Sequence, residues 1–168
     1  VVYTCQIDTP LGAMTAAAEN GALTGLWFVG QKYYPLKTDA WINKPEQAVF
    51  QALRVWLADY FSGKAGVFAG RVAPAGTSFQ KTVWEILMTI PFGQTTTYGD
   101  IAGKIATERG LPSMSAQAVG GAVGHNPVSI LIPCHRVVGS NGSLTGYAGG
   151  LEKKKALLEL EAGTTTLG

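Results

Sequence analysis

The chain opens with three short runs in which apolar and polar residues alternate with a period near two. They read VVYTCQID (1–8), GAMTAAAE (12–19) and ALTGLWFV (22–29), the pattern of half-buried strands. Asn20-Gly21 separates the second from the third. Both residues tolerate positive φ, so the pair closes a tight hairpin, and an antiparallel meander is expected. A polar, Pro-containing connection, QKYYPLKTDAWINKP, leads into EQAVFQALRVWLADYFSG. There Val49, Leu53, Trp56, Leu57, Tyr60 and Phe61 recur at helical spacing, and Gly63 stops the run. This helix is expected to cover one face of the sheet, with its aromatic residues in the core.

The stretch AGRVAPAGT (69–77) is rich in Gly, Ala and Pro and places a domain boundary near residue 75. Beyond it the period is helical. TSFQKTVWEILMTI puts Phe79, Val83, Ile86, Leu87 and Ile90 on one face, behind a capping box of Thr77 and Gln80. Pro91 and Gly93 break that helix. YGDIAGKIAT reads as a short helix, ERGLPSM as a turn, and SAQAVGGAVG as a second short helix with Ser115 as its N-cap. Two short helices joined by a Gly/Pro turn suggest a helix-turn-helix. Gly120 and Gly121 each cost about 1 kcal/mol relative to Ala inside a helix. Close packing on another backbone would offset that, and so would close approach of a nucleic acid; the helix carries no Arg or Lys. Asn126-Pro127 opens a turn, VSILI reads as a short buried strand ended by Pro133, and GLEKKKALLELE forms a last helix. The expected class is α+β, with residues 1–75 and 76–168 as two domains.

Composition narrows the function. Of 168 residues 46% are hydrophobic and 14% charged, enough for a core and unlike a disordered chain. The net charge of +2 permits nucleic-acid binding without arguing for it. No apolar run reaches the roughly 18 to 20 residues of a membrane span. VVYTCQIDTP lacks the basic and long apolar regions of a signal peptide, so an intracellular, cytoplasmic protein is expected. There are two cysteines. Cys5 lies in a strand-like run and reads as a small buried apolar residue. A structural zinc needs about four ligands. Two Cys and two His, with His135 directly after Cys134, do not supply them, so no metal and no other cofactor is expected.

The candidate chemistry lies in ILIPCHRVVG (130–139). A thiol is a poor nucleophile until it ionises, and its pKa of about 8.5 falls beside a His. His135 is the nearest base. It needs an acceptor to fix its tautomer, and Glu152, Glu159 and Glu161 follow downstream. Sequence neighbours usually point apart, however. On these residues alone Cys134 is equally well an inert buried thiol or a nucleophile.

The longer pattern, NPVSILIPCHRVVGSNGSLTGYAGGLEKKKALLELE, closely resembles the active-site region of the O6-alkylguanine-DNA alkyltransferases. It has a Pro-Cys-His-Arg-Val block, Asn-Pro before it, and a Gly-Tyr-x-Gly-Gly-Leu segment after it. The spacings from Asn126 to Cys134 and from Cys134 to Tyr147 and Glu161 match without gaps. FGQTTTYGDIA and AVGGAVGHNP fit as well. The resemblance covers residues 76–161 and extends more loosely to the first half. It implies a ribonuclease-H-like antiparallel sheet with a helix, then a helical, winged-helix-like domain containing the helix-turn-helix.

What the resemblance implies for the site follows residue by residue. Double-stranded DNA containing O6-alkylguanine, with O4-alkylthymine as a further candidate substrate, would be bound through its minor groove and the damaged base flipped out. Cys134 would accept the alkyl group once, with no turnover. His135 would act through a bridging water, Glu161 would orient His135, and Asn126 would hold the turn that carries the Cys. Tyr98 would donate to the leaving guanine. Backbone near Cys134 and Val137, with Tyr147 and Ala148, would recognise the base edge. Ser115, Gln117, Ala118, Gly120 and Val123 would face DNA, Ser129 would line the entrance, and Arg136 is either structural or a DNA contact. A monomer is expected, with cooperative assembly on DNA allowed.

Two departures stand out. Many relatives have Arg where this chain has Gln117, and Ser where it has Ala148; the backbone N–H of Ala148 remains. Some relatives bind zinc in the first domain, but no His precedes His125 here. Two other readings were weighed. Alkyltransferase-like proteins bind lesions without repairing them, but lack the reactive Cys that this chain has. A Cys-His-Glu hydrolase would need a substrate-binding signature that is not apparent.

Overall fold

The computed structural model describes residues 1–64 and 66–163, so the last five residues of the expected second domain lie outside the described residues. Strands β1 (Tyr3–Thr9), β2 (Gly12–Glu19) and β3 (Ala22–Phe28) form the expected antiparallel meander. Asn20 and Gly21 close its second hairpin with φ of 52° and 76°, the two positive values that such a turn needs.

The sheet is not purely antiparallel. Two-residue strands β4 (Ile42–Asn43) and β5 (Arg71–Val72) add parallel edges, giving the order β4-β1-β2-β3-β5. Both lie in stretches read from the sequence as connection and linker, because two residues show no period. Helix α1 (Ala48–Phe61) covers one face and buries Val49, Phe50, Leu53, Leu57, Tyr60 and Phe61. Gly63, at φ 88°, ends the turn that follows it.

Helix α2 (Ser78–Leu87) starts on the expected capping box. The Gln80 amide donates to Thr77 Oγ1, and the Thr77 amide to Gln80 Oε1. Strand β6 (Thr96–Thr97) leads directly into α3 (Tyr98–Arg109), whose N-cap is Thr97. The helix runs further than the sequence suggested: Glu108 and Arg109 are helical, and Gly110 at φ 66° makes the left-handed cap. Helix α4 (Ala116–Gly124) begins at Ser115, whose hydroxyl accepts from the Ala118 amide. It packs on α2 and α3, and the buried Trp84 Nε1 donates to its Ala122 carbonyl at 2.9 Å. After a single 3₁₀ turn at Cys134–Arg136 comes β7 (Val137–Val138), paired in parallel with β6. Helix α5 (Leu151–Glu161) ends the described chain.

VSILI is not a strand. Only Val128 bridges, to Leu26 of β3. Ile130 has φ 71°, which a β-branched residue seldom adopts, and the Leu131 amide donates to the Ser129 carbonyl around it. A second tight turn follows at Pro133, around which the Cys134 amide donates to Ile132. Apolarity marked the segment as buried, but its backbone coils instead of extending. Buried residues of both halves form one continuous core, and the coil sits within it.

Candidate active site

Asn126 builds the coil. Its Nδ2 donates to the carbonyls of Val128 (3.3 Å) and Ile132 (2.7 Å), and its Oδ1 accepts from the Val128 amide (2.9 Å). One buried side chain thus satisfies three backbone groups that a strand would have paired. The first half braces the same coil: the Leu26 amide donates to Pro127, and the Ser129 amide to Leu26. Cys134 follows, buried at the start of the 3₁₀ turn.

Behind the thiol lies a charged relay. His135 is fully buried, and its Nε2 donates to Glu161 Oε2 at 2.5 Å. Glu161 accepts further bonds from Arg136 Nε (2.7 Å) and Nη2 (3.1 Å), from the Gly93 amide (3.1 Å) and from Tyr60 Oη (2.6 Å). Burial opposes its ionisation, but His135, Arg136 and Tyr60 outweigh that and hold its pKa down to about 2. Burial also lowers the pKa of His135, with Arg136 and Lys154 adding to it against the pull of Glu161. The ring is therefore neutral, with its proton on Nε2. Nδ1 keeps a lone pair that no group among the described residues engages. The Cys134 thiol is pushed up by burial, opposed by the Asn126 amide, the Lys154 charge and its own backbone N–H.

Cys134 lines a cavity of about 310 Å³. Its other walls are Tyr98, the α4 residues Gly120, Gly121 and Val123, and Tyr147 with Ala148. Tyr98 Oη donates to the Thr145 carbonyl. The parallel pairing of Thr97 with Val138 sets Tyr98 beside this wall, because it is the next residue after a strand that runs alongside the segment following Cys134. Tyr147 Oη is buried with no well-aligned hydrogen-bond partner among the described residues, Ser129 being its polar neighbour. Burial and the nearby Cys134 raise its pKa, with Ser129 offsetting part of that.

The structure thus brings together Cys134, His135, Glu161, Asn126, Tyr98, Gly120, Val123, Tyr147 and Ala148. Ser115, Gln117 and Ala118 lie exposed on the first turn of α4. Three further candidates lie deeper in the fold than the cavity wall. Ser129 is buried beside Tyr147 and is not among the cavity walls. Val137 lies in the core of β7, its amide donating to the Cys134 carbonyl. Arg136 turns inward onto Glu161 and the Ile90 carbonyl (2.7 Å), which makes it a structural residue and not a surface contact.

Several site residues escaped the sequence reading. Lys32 and Tyr33, from the loop after β3, also line the cavity, and the Tyr33 ring stacks on His125 at 4.0 Å. No local pattern signalled them. Lys154 is buried, donates to the Thr145 and Gly146 carbonyls, and has its pKa lowered by burial to about 8. It stands two helical turns before Glu161, on the face of Leu157 and Leu160, so α5 periodicity could have found it. In the sequence Gly93 shows only as a helix breaker. It needs φ 85° and lies against the Glu161 carbonyl, where a Cβ would sit at 3.2 Å.

Among the described residues, no three His, Cys, Asp or Glu side chains cluster as metal ligands, and no helix is long and apolar enough to cross a membrane.

Residues 78–163 match the family model for the DNA-binding domain of 6-O-methylguanine DNA methyltransferase, and residues 1–73 match its ribonuclease-like domain. The chain belongs to this family. A methylated-DNA–protein-cysteine methyltransferase of Mycobacterium tuberculosis is 45% identical over 155 residues, 92% of this chain and 89% of the relative. One from Methanosarcina acetivorans is 39% identical over 160 residues, 95% of this chain and 98% of the relative. Among solved structures, M. tuberculosis OGT in complex with DNA superposes with a TM-score of 0.82 at 40% identity. That match covers 99% of this chain and 98% of the other. Family membership fits the α+β architecture, in which a sheet domain precedes a helical DNA-binding half.

Proposed function

We propose that this chain repairs DNA by moving the alkyl group from O6 of a flipped-out guanine to Cys134 Sγ, once per molecule. The observation that carries this reading is Cys134 on the wall of a 310 Å³ cavity, backed by the buried His135–Glu161 pair. The related M. tuberculosis protein has been solved with DNA, which supports the same partner here.

In this reading α4 enters the minor groove with Ser115, Gln117 and Ala118 outward, and Gln117 fills the space of the extruded base. The duplex need not be fully disassembled, because only one base leaves the stack. The cavity takes the guanine between Tyr98, Gly120 and Tyr147. The neutral His135 draws the thiol proton through a water at Nδ1, and Glu161 stabilises the imidazolium that forms. Sγ attacks the alkyl carbon, a C–S bond forms and the C–O6 bond breaks, its electron pair staying with the base. Tyr98 donates a proton to the leaving guanine, and the proton taken from the thiol restores the balance. The thioether has no leaving group, so the protein is consumed. The working unit is a monomer with domains at 1–75 and 76–168, acting in the compartment that holds the DNA.

Mass spectrometry after incubation with duplex DNA containing O6-methylguanine tests this. One methyl per protein on the Cys134 peptide is expected. Cys134→Ala should abolish transfer while keeping lesion binding, and transfer by that variant would sink the assignment. Repair of more than one lesion per protein, with the alkyl group released to water, would favour a turning-over hydrolase instead. Binding with no methyl on Cys134 would favour a lesion sensor.

A further inference from the structure

Tyr60 belongs to the first half of the chain, yet its hydroxyl lies inside the relay. It donates to Glu161 Oε2 at 2.6 Å and sits 3.4 Å from His135 Nε2, on the same carboxylate oxygen that receives the imidazole proton. The ring is buried and locked by its neighbours. Trp56 stacks on it at 5.3 Å, while Phe61 and Phe92 meet it edge-on at 5.3 and 5.8 Å. Its position is therefore set by aromatic packing as well as by its bond to Glu161.

Glu161 is held by several donors at once. Arg136 offers Nε and Nη2, a fork that matches both carboxylate oxygens and would draw the group toward itself. Only one oxygen, Oε2, also serves His135. Oε2 thus holds three donors, His135 Nε2, Arg136 Nη2 and Tyr60 Oη, and the Tyr60 hydroxyl is the one that ties this oxygen to α1. Aromatic packing alone would be equally well served by Phe. A hydroxyl there, with its donor used on Oε2, is what the packing does not require.

We propose that Tyr60 is a positioning residue for alkyl transfer: its hydroxyl pins Glu161 Oε2 in line with His135 Nε2–H, and so keeps the Nδ1 lone pair directed at the Cys134 side. The sheet domain thereby completes the relay and does not only support it. The groups around His135 are Glu161 and Lys154 from α5, Arg136 and Cys134 from the 3₁₀ turn, and Tyr60 from α1. Among the described residues these are the charged and titratable groups that bear on its proton. The proposal rests on the alkyl-acceptor reading for its purpose. Its test uses no DNA, so the two can fail separately.

The test is Tyr60→Phe in the full chain, which keeps the ring and removes one oxygen. Two readouts separate positioning from packing. The first is the ¹⁵N resonance set of the imidazole rings, interpretable because the chain has two histidines. Wild type should show His135 as the Nε2–H tautomer, and the variant a mixture. The second is the pH profile of Cys134 alkylation by iodoacetamide, followed on the Cys134 peptide. The variant should react roughly tenfold more slowly at neutral pH, as expected for losing one bond to a charged group, with its profile moved to higher pH. Ile105→Val, which loosens the buried core at α3 and leaves the rings around Tyr60 intact, should lower Tm and leave both readouts in place. Unchanged ring resonances and an unchanged profile in Tyr60→Phe would overturn the proposal, whatever its Tm. Should that variant fail to fold, wild type decides: a slowly exchanging, low-field Tyr60 hydroxyl proton coupled through space to the His135 ring is expected, and its absence overturns the assignment.

Discussion

Asn126 Nδ2 reaches the Ile132 carbonyl at 2.7 Å, closing the coil that ends two residues before Cys134. One amide thus sets both the backbone path and part of the electrostatics at the thiol. Asn126→Ala leaves the buried Val128 amide without a partner, at about 1–3 kcal/mol, and takes one of two hydrogen bonds from each of the Val128 and Ile132 carbonyls. The denaturation midpoint should fall and Cys134 alkylation should slow. Asn126→Asp is expected to be no better than Ala. A carboxylate can still accept from Val128, but it cannot donate to Ile132 and it places negative charge beside the thiol. Wild-type stability in the Asp variant would show that the amide donor is unimportant.

Gly121 faces open space, and at Gly120 an added Cβ would meet only the Tyr98 ring, at an ordinary 3.7 Å. Packing within the protein therefore does not demand glycine at either place. Gly121→Ala should stabilise the free protein by about 1 kcal/mol, since Ala is the better helix former. It should also weaken binding to duplex DNA, because the added methyl stands on the face that would meet the groove. Thermal melts and fluorescence anisotropy check the two halves. A variant that gains stability and binds as before would remove the DNA argument for this glycine.

Lys154 lowers the pKa of Cys134, against burial, which raises it. Lys154→Met removes that charge, takes the Nζ donor from the Gly146 carbonyl and leaves the Thr145 carbonyl with Tyr98 Oη. The thiol pKa should rise further, and its reaction with iodoacetamide at neutral pH should slow by about tenfold, the worth of roughly one pKa unit. In wild type the assistance should be full below pH 8 and fade above it, as Lys154 loses its proton near 8. The difference between the two proteins should therefore narrow in alkali. A constant ratio across that range would mean that Lys154 acts only by holding the loop.

Glu161 and His135 both have lowered pKa values in the folded state. The native protein then binds fewer protons than the unfolded chain, so stability is complete at neutral pH and falls with acid. For His135 the loss begins near its ordinary 6.5. For Glu161 it begins near 4.5 and continues to about 2, worth roughly 3 kcal/mol. Denaturant midpoints measured from pH 7 to 3 should trace this limb. Glu161→Gln should flatten the part below 4.5, at the expense of stability at pH 7, because it leaves the Arg136 guanidinium buried without its counter-charge.

The sequence by itself determined whatever is set by near neighbours. The Asn20-Gly21 hairpin, the Thr77–Gln80 capping box and the Ser115 cap are each closed within three residues, so their chemistry is legible in order along the chain. Asn126 by itself marked only a turn, and its place before Cys134, like that of Glu161, came with the family pattern. The sequence misled where apolarity was taken for extension. VSILI is buried but coiled, because Asn126 replaces the hydrogen bonds of a strand and Ile130 takes a positive φ. The short parallel strands were invisible, since two residues carry no period. Only the tertiary structure decided where Arg136 points, that Lys154 lies under the thiol, and that Tyr60 reaches Glu161 across 101 residues of chain. Such contacts depend on how α1, α5 and the 3₁₀ turn pack together. A helical pattern states which face of a helix is buried, but not which atom that face will meet.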